Sequence, residues 1–202
     1  MTKGEQTRRD IVEKAAPLFN QKGFEGTSLA DLMQATGLQK GGIYRHFSGK
    51  RELAAEAFDY AWEKAVRGRL DGVAEVPDCV DRLKKTIDNF VERRQGLVPG
   101  GCPLMNAAVE ADDGNPVLRA RARKALQGWT ERLSRITAEG IQKSQIDRHV
   151  TPRQLSQLII SSLEGALLIS RLQNDDAPLR VMRQHLDDYL EENVRAKRSR
   201  KS

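Results

Sequence analysis

The chain is poor in aromatic residues, 5% of its 202 positions, and nowhere alternates apolar and polar residues in the two-residue rhythm of a half-buried strand. Both points argue against a β-sandwich or barrel, which draws on aromatic and β-branched side chains, and leave a helical protein. No apolar run approaches eighteen residues, so no membrane-spanning segment is expected. The amino-terminal MTKGEQTRRD has no apolar core of a secretion signal, so a cytoplasmic location is expected. The two cysteines, Cys79 and Cys102, form no CxxC pair, which fits a reduced compartment. The three histidines, His46, His149 and His185, have no HExxH spacing. No G-x-S-x-G is present, and the glycine pairs at 41–42 and 100–101 lack the Lys-Ser/Thr of a phosphate-binding loop. The paired carboxylates at 112–113, 187–188 and 191–192 fall beside loops or on solvated helix faces. The chain therefore does not read as an enzyme, and no catalytic residue, metal site or cofactor is expected.

Charge is abundant, 31% of residues with a formal net charge of +6, but it is unevenly placed. Residues 1–50 carry +3, residues 195–202 (RAKRSRKS) carry +5, and the stretch between them carries −2. Basic ends suit a polyanionic partner; an acidic middle does not. By itself the terminal run reads as a solvated tail. A protein that coats nucleic acid without sequence preference would spread its positive charge further and add stacking aromatics.

The chain centres on TSLADLMQATGLQKGGIYRHFSGK, residues 27–50. Ser28 stands where a hydroxyl caps a helix, and Leu29, Leu32 and Met33 share one helical face. Gly37 is placed to end that helix in the left-handed conformation, and Leu38 to plug the space beyond it. A second helix follows from Gln39 or Lys40 to His46, with Ile43 and Phe47 inward. It is too short and too glycine-rich to stand alone, which is the arrangement of a helix-turn-helix. Upstream, 5–22 is an amphipathic helix containing Pro17 and ending at Gly23, with Thr7, Arg8 and Arg9 on its polar side. Downstream, Ser48 is expected to cap a helix running to about Leu70. Further helices are expected at 79–95, 102–111, 117–140 (containing Leu118, Ala122, Ala125, Leu126, Trp129, Leu133 and Ile136), 152–172 and 178–195. Thr151 caps the penultimate one and Pro152 opens it. The fold class is thus all-α.

The run from Thr27 to Lys50, with its G-I-Y-R-H-F and K-R-E-L, and the upstream F-x-x-K-G-F-E-G-T-S, resembles the DNA-binding domain of TetR/AcrR-family transcriptional regulators. The motif covers roughly residues 5–55; the likeness of the rest is one of architecture only. The resemblance implies an N-terminal three-helix DNA-binding lobe (1–50), a larger helical lobe for ligand binding and dimerisation (51–195) and a basic tail (196–202). It implies that Gln39–His46 enters the major groove of a double-stranded operator. Thr27 and Ser28 would then bond a phosphate. Lys40, Gly41 and Gly42 would lie against base edges and backbone, Tyr44, His46 and Lys50 would contact phosphates, and Arg45 would read a guanine. Gln39 and Lys40 depart from the small hydroxyl residue many members carry, so the operator cannot be borrowed.

A second apolar face on 155–169 points to a homodimer in which the last two helices pair with their symmetry mates as a four-helix bundle. The resemblance implies a small-molecule inducer of unstated class, an electrophile being one option, with repression as the expected sign. The alternatives are an activator of the same fold or a nonspecific nucleic-acid-binding protein. Candidate ligand-lining residues are Phe90, Cys102, Met105, Asn106, Trp129 and Leu133. Met and Trp at helical spacing equally suit plain core. Cys102, after two glycines and before a helix, suits either a reactive thiolate or a buried small residue.

Overall fold

The structure, a computed structural model, describes residues 2–110 and 115–197. The 112–113 carboxylate pair and the last five residues of the basic tail lie outside the described residues. Those described form helices α1 (Lys3–Gly26), α2 (Leu29–Thr36), α3 (Lys40–Tyr44), α4 (Lys50–Arg69), α5 (Cys79–Glu92), α6 (Pro103–Glu110), α7 (Pro116–Gln142), α8 (Pro152–Gln173) and α9 (Ala177–Tyr189). A π-helical segment, Leu190–Val194, continues α9. No strand occurs among the described residues; an isolated bridge joins Ile146 and Arg195.

The chain forms two compact units, Met1–Val66 with Gln95–Leu126, and Arg67–Arg94 with Gln127–Ser202. This grouping differs from the division expected at residue 50: α4 continues past that point, and α6 with the first part of α7 joins the amino-terminal segment.

In the first unit α1, α2, α3 and α4 close on a core of Ile11, Val12, Ala15, Leu32, Ile43, Phe47 and Leu53. Ile43 and Phe47 are buried as their i, i+4 spacing demands. Helix α1 runs through Pro17 to a break at Gly23, where φ is +76°. Ser28 caps α2 by accepting the Asp31 N–H, and the Asp31 carboxylate bonds back to the Ser28 N–H. Such caps stabilise a helix by about 1 kcal/mol. Gly37 ends α2 at φ +73°. Only five residues of α3 are helical, fewer than expected. Its start at Gln39 has no side-chain cap, and each of its two glycines costs about 1 kcal/mol relative to alanine.

One capping expectation, at Ser48, is corrected; the other, at Thr151, is met in position without a side-chain bond. Ser48 is not the cap of α4, because the helix begins at Lys50 and its first carbonyl acceptor is Gly49, bonded by the Leu53 N–H. Ser48 instead gives its N–H and hydroxyl to the Glu52 carboxylate, at 2.6 and 2.7 Å. Thr151 occupies the cap of α8, but its hydroxyl makes no capping bond.

The second unit is built on α5, the rest of α7, α8 and α9. Its interior includes Leu83, Ile87, Phe90, Trp129, Leu133, Ile159, Leu163, Leu179 and Leu186. Gly140 lets α7 approach α5 closely: a Cβ there would meet Cys79 Cβ at 2.8 Å. Leu126 on α7 is 43% exposed. Helix α8 is long and apolar enough to cross a membrane by length and composition, but half of its apolar window is buried within the protein. That is the behaviour of a core helix.

Candidate DNA interface

The short helix α3 is held from three sides. Inside, Ile43 is anchored in the core. On the α2 side, Leu38 packs against the same cluster, and a Cβ on Gly42 would lie 3.4 Å from its side chain. A Cβ on Gly42 would thus make an ordinary contact with Leu38, whereas a Cβ on Gly41 would have nothing within 4 Å. The third side is Arg8. Its guanidinium lies 4.3 Å from the centroid of the Phe47 ring and donates to the His46 carbonyl just past the helix. It also pairs with Glu52 at 2.6 Å and with Glu56 on α4. One side chain thus ties α1, the end of the helix-turn-helix and α4 together. The two carboxylates hold the Arg8 pKa above its ordinary value. The Glu52 carboxyl falls to about 2, chiefly through the Ser48 hydroxyl, then the Ser48 N–H, then Arg8.

The face of α3 turned away from this support is open. Gln39, Lys40, Gly41 and Arg45 are exposed; Tyr44 and His46 are half-buried, with Tyr44 packed on the core. Lys50 opens α4 with its Nζ 4.4 Å from the centroid of the Phe24 ring, and Phe24 stacks on Phe19 with centroids 6.4 Å apart. Eight of the ten residues expected at DNA thus lie on or beside this short helix. Thr27 and Ser28 do not fit the expected role. Thr27 is fully buried and donates its hydroxyl to Gly23 O at 2.6 Å. Ser28 gives its N–H and hydroxyl to Asp31. Lys22 and these Ser28 bonds hold the Asp31 carboxyl well below its usual range. An anionic carboxylate therefore already occupies the start of α2, where a phosphate was expected. That capping box was legible as a Ser-x-x-Asp pattern.

Behind α1 lies a polar junction that local sequence pattern does not reveal. The Asn20 amide donates to the carbonyls of Val98, Pro99 and Gly101. The Asn106 amide on α6 donates to Asn20 O at 2.8 Å, Asn20 Oδ1 at 3.0 Å and Gly100 O at 2.9 Å. One turn on, the Glu110 carboxylate accepts the Glu25 N–H at 3.0 Å and sits where a Cβ on Gly23 would be, 2.6 Å away. Two residues of α6 thus grip the end of α1 and the turn into α2.

The six candidate ligand residues divide between the two units. Cys102, Met105 and Asn106 belong to the first unit; Phe90, Trp129 and Leu133 belong to the second. Cys102 is 5% exposed, and its carbonyl accepts the Asn106 N–H. Next to Asn106 is a cavity of about 30 Å³, lined by Phe19, Asn20, Phe24, Phe58 and Glu110 among others. It suits a water molecule rather than an inducer. Phe90 and Trp129 stack with centroids 5.9 Å apart. An open cleft of about 540 Å³, lined by residues including His149, Gln154, Leu158 and Tyr189, contains none of the six. Cys79 begins α5 and is buried, which raises its thiol pKa.

A short outward-facing helix carried on a helix-turn-helix, within an all-helical chain, defines a DNA-binding regulator. Residues 11–57 match the family model described as bacterial regulatory proteins, tetR family. Residues 79–186 match the tetracyclin repressor-like C-terminal domain. The crystal structure of a TetR transcriptional regulator from Chloroflexus aurantiacus is 40% identical, with a TM-score of 0.93 over 98% of this chain and all of that one. An uncharacterized HTH-type transcriptional regulator of Mycobacterium tuberculosis is 32% identical over 91% of this chain and 93% of its own. The HTH-type transcriptional repressor DhaR of a Mycobacterium species is 25% identical over 85% and 86%. The chain belongs to the TetR family and is a helix-turn-helix transcriptional regulator.

Proposed function

We propose that the protein is a dimeric, cytoplasmic repressor that reads a two-fold operator with α3 and releases it when a small molecule binds the helical lobe. Residues 1–50 read DNA, residues 51–195 regulate and pair, and residues 196–202 form a basic tail. The observation that carries this reading is the division of α3 into a fixed and a free face. Ile43 is fully buried beside a nearly buried Phe47, while Gln39, Lys40, Gly41 and Arg45 face outward. Arg45, Lys40 and Gln39 read base edges; Gly41 lets the backbone approach; Tyr44, His46 and Lys50 meet phosphates. Gly42, like Gly41, lets the backbone approach, and Thr27 and Ser28 shape the turn before α2.

Pairing is supported by the second apolar face of α8. Leu158, Leu168, Ile169 and Leu172 are 40%, 49%, 47% and 79% exposed, and Val181 on α9 is 69% exposed. That is more exposed apolar surface than one helical unit can satisfy. A dimer carries two reading heads, so the operator should be a palindrome with half-sites set by the two-fold axis. Repression as the sign draws support from the relative named as a repressor.

Selection of bound duplexes from random DNA tests the reading. A palindromic consensus is expected, with Arg45→Ala losing preference at one base pair per half-site and Lys50→Ala weakening all sequences alike. Binding unaffected by either change would refute it.

A further inference from the structure

Arg69, the last residue of α4, ends in the interior of the second unit and is 7% exposed. Its guanidinium carbon lies 3.9 Å from the centroid of the Trp129 ring and 4.8 Å from that of Phe90. Its Nη2 stands 3.7 Å from Glu164 Oε1, and Glu164 is 6% exposed in the middle of α8. A buried ion pair is a poor source of stability, since apolar residues of like volume commonly do as well or better. Two aromatic faces and a carboxylate are, however, the elements of a cation site. We propose that Phe90, Trp129 and Glu164 form a cation-binding cage with Arg69 as its resident occupant, and that a small organic cation of guanidinium or quaternary-ammonium type displaces Arg69 and occupies it.

The parts of the cage differ in how easily they move. Both rings and Glu164 sit within helices in the core. Arg69 is at a helix end and reaches the site on a long side chain. Its backbone is secured separately, because the Asn89 amide donates to Arg69 O at 3.1 Å and to Asp71 O at 2.7 Å. The side chain can leave while the end of α4 stays capped. Charge balance then sets the sign of the ligand. A cation replaces the charge that Arg69 withdraws, whereas an anionic or neutral ligand would leave the core one positive charge short beside Glu164. Lys50 and Arg69 are the first and last residues of one helix, so displacing Arg69 acts on the element that begins at the DNA face. This last link rests on the ligand-responsive reading above; the cage does not.

The test uses the full chain carrying Trp62→Phe, so that Trp129 is its one tryptophan, with methylguanidinium and tetramethylammonium chlorides as probes and sodium chloride as the ionic-strength control. Saturable quenching of Trp129 by either cation is expected. Arg69→Ala should bind methylguanidinium on the order of tenfold more tightly, since the occupant no longer competes. Glu164→Gln should weaken binding tenfold or more. A folded Arg69→Ala protein that shows no saturable quenching overturns the cage. If Arg69→Ala does not fold, the titration of the Trp62→Phe protein decides alone: quenching lost in Glu164→Gln supports the cage, and quenching that only tracks ionic strength overturns it. Operator binding is measured separately. Cation binding that leaves operator affinity unchanged upholds the cage and refutes its link to release. A protein that binds cations but no DNA refutes the regulator reading alone.

Discussion

Helices α3 and α8 are opposites. Helix α3 has five residues, two glycines and no side-chain cap at its start, yet it carries the residues assigned to base reading. Helix α8 has 22 residues with proline at its first turn, a buried face and an exposed apolar one. The short helix borrows its order from Ile43, Phe47, Leu38 and Arg8; the long one supplies order and still has apolar surface to cover. The contrast teaches that the reading element is specified by neighbours, so mutations beside it should act on DNA binding as strongly as mutations in it.

The largest effect that would break this contrast is removal of the core anchor. Phe47→Ala should destabilise the first unit by about 3–5 kcal/mol, seen as a lower denaturation midpoint together with lost operator binding. An unchanged midpoint would mean that α3 orders itself. On the other side, Leu168→Glu with Leu172→Glu should convert a dimer to a monomer in sedimentation. Operator affinity should then fall on the order of a hundredfold as the second head is lost. A dimer that survives both charges would remove the pairing role of α8.

Next in size, Arg8→Ala should cost about 1–2 kcal/mol, allowing for a guanidinium one-third exposed to solvent, and should weaken operator binding although Arg8 is not assigned to DNA. Acid sharpens the same clamp. The Glu52 carboxyl is depressed from 4.5 to about 2, so its contribution is fully present above pH 4.5 and is lost as pH falls toward 2. Glu52→Gln should flatten the stability-pH profile in that window, and a parallel, undiminished profile would show that the clamp is not ionic. The smallest effect is the most discriminating. Gly41→Ala should leave stability unchanged or raise it by about 0.5–1 kcal/mol, because the site is helical and open, and should reduce operator affinity. Higher stability with full affinity would take Gly41 off the interface.

What the sequence made legible was local. The Ser28 cap, the left-handed Gly37, the i, i+4 burial of Ile43 and Phe47 and the glycine end of α1 follow from spacing within one turn. What it concealed was distant: Arg8 meets Glu52 and Glu56 across 44 and 48 positions, and Asn106 meets Asn20 across 86. No periodicity encodes such pairs, so Arg8 read as one more basic residue on a polar face. Residues near a boundary were misplaced by small shifts in register: moving the start of α4 from Ser48 to Lys50 changes Ser48 from cap to carboxylate partner. Phe90 and Trp129 are legible as aromatics at core spacing, and both are buried. Arg69 was not, because a cation at a helix end looks solvated until a buried acid on another helix is placed beside it.

The open face of α3 bears on how such a protein can change. Gln39, Lys40 and Arg45 are exposed, and none of them belongs to the core cluster or to the polar pairs that hold the lobe. Substitutions there should alter which sequence is recognised with little penalty in folding. With α3 as the proposed reading element, operator preference can drift, or be reprogrammed by design, as an almost independent module, while the supporting residues behind it remain under the constraint of the fold.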